Sequence, residues 1–374
     1  MLTDLPVLPG QHIDAHHIKG DGRRCSDRAW FDVIGLADGR TAMLVGDVVE
    51  QGVAGAAGTG RVREILTQML ADGRDLEAVL DAMHSAVYAR NAACATTVCV
   101  AILDPADGSV QYGTCDHAPP MVVRAQGGTR QLRSCGGADP DTISTSIIIE
   151  HDRLDRDDVL VLHTGNASPE IRRAVTAELA GLPDATGGVP ATGESVDASR
   201  TETICRTTAN GLRHVVARKD LAVLAVQSRP DVGKLALTVP AVPASLETAE
   251  QAVGDWLAGL RSSIEDGVGM VLAVREAIAN AIQHAFVGTR AGSVMVEATL
   301  LADGVLVCSV SDDGCWLPAE SSMRGRRARG LGLMARLSDH MLIHREHDGT
   351  VIELRRRLRH PVIHSAASAA SPAR

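Results

Sequence analysis

The chain has 374 residues, 45% of them hydrophobic, 22% charged and only 2% aromatic, with a formal net charge of −9. This length supports two or three domains with aliphatic cores, and the acidic balance excludes a broad basic face for general nucleic-acid binding. No apolar run approaches the ~20 residues of a membrane span, no basic-then-apolar leader pattern is seen, and the eight cysteines are scattered without a C-x-x-C, which predicts a cytoplasmic protein with reduced thiols.

Gln11–Ile18 reads as a strand carrying exposed histidines, His12, His16 and His17, since no partner carboxylate stands at a metal-ligand spacing. Trp30–Leu36 and Thr41–Val45 flank Ala37-Asp38-Gly39-Arg40, a hairpin signal. The second strand leads into Gly46-Asp47-Val48 and a small-residue helix start at Val53–Gly60. Helices are predicted at Arg61–Ala71 and Leu76–Asn91, then a second hairpin from Ala95–Leu103 and Ser109–Thr114. After the loop Cys115-Asp116-His117-Ala118-Pro119-Pro120 come strands at Met121–Arg124 and Val159–His163. Ser168 caps a helix reaching Gly181, with Pro169 at its first position. Asp184–Val196 is Gly/Pro/Thr-rich and reads as a loop, and Leu221–Val226 as a strand. Hairpins around a central helix pair imply an α+β sandwich.

Trp30-Phe31-Asp32-Val33, Gly46-Asp47-Val48 with Gly52, Ala95-Thr96-Thr97 and Asp116-His117-Ala118-Pro119-Pro120 occur in an order that resembles the SpoIIE/RsbU branch of the PPM serine/threonine phosphatases. The resemblance implies an α/β/β/α sandwich and a pair of manganese or magnesium ions that activate water. Asp47 matches the bridging aspartate. Other expected acids are missing: Ala29 falls on one metal-facing aspartate, Thr164-Gly165-Asn166 on Thr-Asp-Gly, and Lys219-Asp220 on the closing Asp-Asp. Asp27, Asp32 or Asp220 would substitute only after a local slip, and a one-residue slip in a strand turns the side chain to the other face. The expectation is a vestigial metal site at Asp47 in a regulatory domain derived from a phosphatase.

Ser228–Lys234 is a polar Pro/Gly connector. It divides the chain into a phosphatase-like domain at 1–228, a linker at 229–234 and a second domain at 235–358. Residues 359–374, ending in Ser-Ala-Ala-Ser-Ala-Ala-Ser-Pro-Ala-Arg, are expected to be disordered.

Met270–Phe286 lacks Gly and Pro and reads as a helix. Val271, Val274, Ile278, Ile282 and Ala285 form its apolar stripe, while Glu276, Asn280 and His284 stack at four-residue intervals on the opposite face. That polar face either is simply solvated or suits a magnesium nucleotide, the amide oxygen as a hard ligand and the carboxylate one turn earlier as a proton acceptor. After a turn at Thr289–Gly292 come strands Ser293–Leu301 and Val305–Val310, the latter delivering Asp312-Asp313-Gly314. An Arg-rich segment then ends in Gly330-Leu331-Gly332-Leu333-Met334 at a predicted helix start, and Asp348-Gly349-Thr350 introduces the strand Val351–Leu354. A glycine-flanked helix start offers free N–H groups to phosphates.

This series resembles the GHKL ATP-binding fold (a histidine-kinase-like α/β sandwich), and within it the RsbW-type anti-sigma-factor serine kinases, in which the glycine after Asp-x-Gly-x is not kept; here that position is Trp316. The resemblance implies Asn280 as magnesium ligand, Glu276 as general base or water-positioner and Asp312 as the adenine reader. Gly314, Gly330, Gly332 and Thr350 would complete the ATP site, with Arg324, Arg326, Arg327 and Arg329 in its lid. The whole chain is read as a bacterial partner-switching regulator using ATP and magnesium. Its expected partners are a STAS-type anti-sigma-factor antagonist, a sigma factor, or both, and the resemblance suggests a homodimer. The alternatives are an active phosphoserine phosphatase with the ATP domain as sensor or opposing kinase, and a non-catalytic scaffold.

Overall fold

The computed structural model describes residues 4–20, 29–48, 53–88, 96–134, 148–165, 168–184, 199–215, 219–284, 292–314, 324–346 and 349–366. In chain order the elements are β1 (Asp4–Pro6), β2 (Gln11–Lys19), β3 (Ala29–Gly35), β4 (Thr41–Val48), α1 (Val53–Ala71), α2 (Leu76–Tyr88), β5 (Thr96–Leu103), β6 (Ser109–Cys115), β7 (Met121–Val123), β8 (Thr129–Gln131), β9 (Glu150–Arg153) and β10 (Val159–His163). They continue with α3 (Pro169–Leu179), α4 (Arg200–Val215), β11 (Leu221–Ser228), β12 (Leu235–Pro240), α5 (Ser245–Leu260), α6 (Ile264–His284), β13 (Ser293–Leu300), β14 (Val305–Asp312), α7 (Arg324–Leu337), β15 (His340–Glu346), β16 (Gly349–Arg357), β17 (Arg359–Pro361) and β18 (Ile363–Ala366). The chain forms two compact units: Met1–Leu5 with Gly10–Pro230 and Pro361–Arg374, and Pro6–Pro9 with Asp231–His360.

In the first unit two sheets run β18-β2-β11-β10-β7-β8 and β3-β4-β5-β6-β9. Val62, Leu66, Leu76 and Val79 of α1 and α2 pack on Trp30, Leu44, Val98 and Val100 of the five-stranded sheet. Ile171 and Val175 of α3 and Ile204 and Leu212 of α4 pack on Val159, Val161, Val223 and Ala225 of the six-stranded sheet. The alternate residues of the same strands, Met43, Val45 and Ala101 in one sheet and Leu160 and Leu224 in the other, are also fully buried. Strands apolar on both faces fit the inner layers of an α/β/β/α sandwich. Gly46 is required there, because a Cβ at this position would collide with the Trp30 indole opposite it. The predicted cap of α3 is present: Ser168 Oγ accepts a hydrogen bond from Ile171 N at 3.3 Å, with Pro169 in the first turn.

The second unit is an antiparallel sheet of order β12-β13-β14-β16-β15. Val294, Val296, Leu306, Cys308, Val310, Ile352 and Leu354 form one core with Val253 and Leu257 of α5, Met270, Val274 and Ile278 of α6, and Met334 of α7. Val7 joins that core and donates its N–H to Leu358 O at 3.2 Å.

Three expectations are corrected here. His16 and His17 are buried, at 4% and 2% exposure, because β2 is an interior strand flanked by β11 and β18. The tail is ordered as far as 366: β18 lies parallel to β2 with Ile363 opposite His16, and Ser365 Oγ lies 2.9 Å from His16 Nε2 and accepts from Arg213 Nη2 at 2.9 Å. Its small polar composition suggested a solvated coil, but ladder hydrogen bonds need only a backbone. Finally, α7 begins at Arg324, not at Gly330. Arg, Ala, Leu and Met are good helix formers and outweigh the glycines among them.

Candidate functional site

In the second unit α6 carries Glu276 and Asn280 one turn apart, each half-buried beside fully buried Ala277 and Ile278. Gly330 of α7 is buried against Glu276: a Cβ added there would lie 3.1 Å from Cδ and 3.2 Å from Cγ of that residue and would overlap Oε1. Gly332 is exposed and faces open space. The two glycines therefore differ. Both lie inside a helix, so a helix-start cradle at 330–332 is absent from this conformation.

Asn280 Nδ2 is buried and has no hydrogen-bond partner among the described residues. An unpartnered buried amide is costly, and a half-turn of the group presents Oδ1 at the same place. That is the oxygen a hard cation takes, so the residue fits a magnesium ligand.

Asp312 ends β14 opposite Thr350 of β16 and Val294 of β13. Its carboxylate accepts from Gly314 N at 3.1 Å and from the Thr350 backbone N–H. Burial raises its pKa above the ordinary aspartate value, only partly offset by those two donors. Thr350 is buried, and the preceding Gly349 is needed because a Cβ there would strike Asp312 O. A desolvated carboxylate held by two backbone donors keeps lone pairs for an amino group such as that of adenine. The adjacent Asp313 is used structurally, accepting from Ser293 N at 2.9 Å.

In the first unit Asp47 of β4 lies directly opposite Ala29 of β3 and Thr97 of β5. Thr96 Oγ1 donates to Asp47 O at 3.1 Å. Asp32 is no substitute ligand. It pairs with Leu44, so it lies on the helix-covered face. There Arg63 of α1 grips it with two hydrogen bonds, one through Nε and one from Nη2 to Oδ1 at 2.7 Å. Nothing in the sequence marked Arg63, whose role depends on the register between α1 and β3. Asp220 is buried and accepts from Gly20 N at 2.8 Å, whereas Lys219 is exposed. Gly165 has φ of 112°, a backbone conformation that side chains rarely adopt.

Two more buried histidines lie in this unit, His117 in the loop between β6 and β7 and His163 at the end of β10. His117 Nδ1 and His163 Nδ1 each lie 3.0 Å from the next residue's carbonyl. As a carbonyl only accepts, each ring is protonated at Nδ1. Burial depresses His117 to about 4 and lowers His163 as well. Among the described residues no group of three or more His, Cys, Asp or Glu side chains is arranged to hold a metal. Asp27, Asn166 and Trp316 lie outside the described residues, as do the side chains of Arg324, Arg326 and Arg327. Among the described residues no helix is long and apolar enough to cross a membrane.

Residues 37–165 match the family of the Stage II sporulation protein E, SpoIIE. Residues 239–356 match the histidine kinase-like ATPase domain. A SpoIIE-type phosphatase domain is thus followed by a GHKL-like ATPase domain in one chain. Among solved structures, the RsbU and RsbW domains of Rv1364c from Mycobacterium tuberculosis are similar, with 23% identity over 97% of both chains and a TM-score of 0.79. This likeness extends the shared fold across both units. The PP2C phosphatase domain of SpoIIE from Bacillus subtilis, with a fragment of its regulatory domain, matches at 14% identity over 59% of this chain and 64% of that one, with a TM-score of 0.46.

Proposed function

We propose that this protein is a partner-switching regulator whose second unit is an ATP-dependent protein serine kinase and whose first unit has lost two-metal phosphatase chemistry. The observation that carries the kinase reading is Asn280, a buried amide with no partner among the described residues, one helical turn from the half-buried Glu276. Asn280 would hold magnesium, which when bound offsets charge on the nucleotide's phosphates. Glu276 would take the proton from the attacking serine hydroxyl, and Asp312 would accept the amino group of the adenine. The chain's similarity to an RsbU–RsbW fusion favours a small anti-sigma-factor antagonist as phosphoacceptor.

For the first unit the support is Ala29 in register with Asp47, together with the Arg63 grip on Asp32. Two hard cations need several oxygen ligands to offset their dehydration, and these substitutions leave Asp47 short of them.

The test is incubation of the full chain with γ-labelled ATP, magnesium and candidate STAS-type antagonists, with phosphosites read by mass spectrometry. The reading predicts a phosphoserine on one antagonist, lost in Glu276→Gln. Asn280→Ala should weaken ATP–magnesium binding by tenfold or more, on the order of 1.5–3 kcal/mol. Binding without transfer to any acceptor would favour a scaffold.

A further inference from the structure

We propose that Gly330 is a positioning residue for Glu276: the missing side chain at 330 leaves the space in which the Glu276 carboxylate lies. This deepens the kinase reading and rests on it. The three atoms nearest a Cβ at 330 all belong to the Glu276 side chain, at Oε1, Cδ and Cγ, and none is backbone. Gly211 of α4 shows the contrast, since a Cβ there would meet not only Glu178 Cγ at 3.1 Å but also the α3 backbone, at Val175 Cα (3.2 Å) and Ala174 O (3.3 Å). At Gly211 two helix backbones are in close approach and a side chain would force them apart. At Gly330 the obstacle is the far end of a flexible side chain, which can rotate away. A methyl group at 330 would therefore move the carboxylate and leave the fold in place.

Gly330 lies inside α7, and alanine is the better helix former. Gly330→Ala should consequently leave the melting temperature unchanged or raise it. Displacement of the proton acceptor should lower the rate of γ-phosphate release from ATP–magnesium by about tenfold or more. ATP affinity should stay within about twofold, since the lesion acts through Glu276 and spares the nucleotide contacts.

The experiment uses the full chain and measures ATP Kd by calorimetry, labelled phosphate release to water and Tm. The variants are Gly330→Ala, Glu276→Gln, their combination, and Gly330→Ala with Glu276→Asp. Non-additivity is the key expectation: with the carboxylate already removed, Gly330→Ala should cost nothing further. The shorter acid at 276 should recover part of the lost rate beside Ala. Multiplicative losses, or an affinity loss as large as the rate loss, would make Gly330 a phosphate-binding glycine and overturn the proposal. An unchanged rate in Glu276→Gln would instead remove Glu276 as the proton acceptor, the part of the kinase reading on which this proposal rests. A crystal structure of Gly330→Ala tests the contact without turnover, and a Glu276 carboxylate in its original position would refute it.

Discussion

Ala29 and Asp47 face each other across the antiparallel β3–β4 ladder, a buried methyl group opposite a half-buried carboxylate. Directly opposed residues share a face of the sheet. Ala29→Asp therefore adds a like charge beside Asp47, and at least ~1 kcal/mol of stability should be lost in chelator. Manganese should return that loss by bridging the two carboxylates, while the wild-type Tm should not respond to the metal. Calorimetry with and without manganese checks both. A wild type stabilised by manganese would show that Asp47 already has metal-binding partners.

Phosphatase activity is expected to be negligible at millimolar manganese in a malachite-green assay on a phosphorylated antagonist. Restoring Ala29→Asp, Gly165→Asp and Lys219→Asp together should remain poor. An aspartate at 165 must adopt φ near 112°, a strain of roughly 1–3 kcal/mol, and Lys219 is exposed. Robust wild-type turnover abolished by Asp47→Asn would reverse the reading of this unit.

Burial raises the Asp312 pKa. A raised carboxylate pKa contributes stability at acid pH that is lost as pH rises through the folded pKa. The ionised group is thus a burden on the ATP-free protein at neutral pH. Asp312→Asn should raise the Tm of the nucleotide-free protein and weaken ATP about tenfold to a hundredfold, as expected for a lost charged hydrogen bond. Titration calorimetry and thermal melts on one preparation suffice, and a parallel fall in both quantities would contradict the assignment.

The buried histidines act in the opposite direction. His16 is lowered from 6.5 to about 4, first by burial and then by Arg213, Arg206, His17 and His364 around it, and His117 is lowered to about 4 mainly by burial. Between about 4 and 6.5 the unfolded chain binds these protons and the folded chain does not. Their contribution is complete above 6.5 and is lost as pH falls towards about 4. Urea midpoints should drop between about pH 7.5 and about pH 5, and His16→Gln should flatten part of that slope. An unaltered slope in the variant would place the proton uptake elsewhere.

Periodicity made β4, β10, β13 and α6 legible in the sequence, since each buries one or both faces in a regular pattern. The same reasoning assigned no element to α4 or α5, whose apolar residues are diluted by Thr, Gly and charged residues. β18 and β1 could not be read locally, as their stability comes from a partner strand. At the candidate nucleotide site the order of motifs singles out Glu276, Asn280, Asp312 and Thr350, and the fold brings Asp312 and Thr350 into register. The reason for Gly330 was not legible, because it depends on where α7 crosses α6. Arg63 was hidden likewise, since only the register of α1 on β3 brings it to Asp32.

Membership of the two units does not follow chain order: Pro6–Pro9 belongs with the second, and 361–366 returns to the first. On the ribosome this sets a schedule. The six-stranded sheet of the first unit lacks β18, and β2 keeps an open edge, until every residue of the second unit has been synthesised. An open edge is a template for pairing with another chain, so the nascent protein passes through a long window of exposure to misassembly. Cutting the chain at its connector would make that window permanent, leaving one fragment without β18 and the other without Val7.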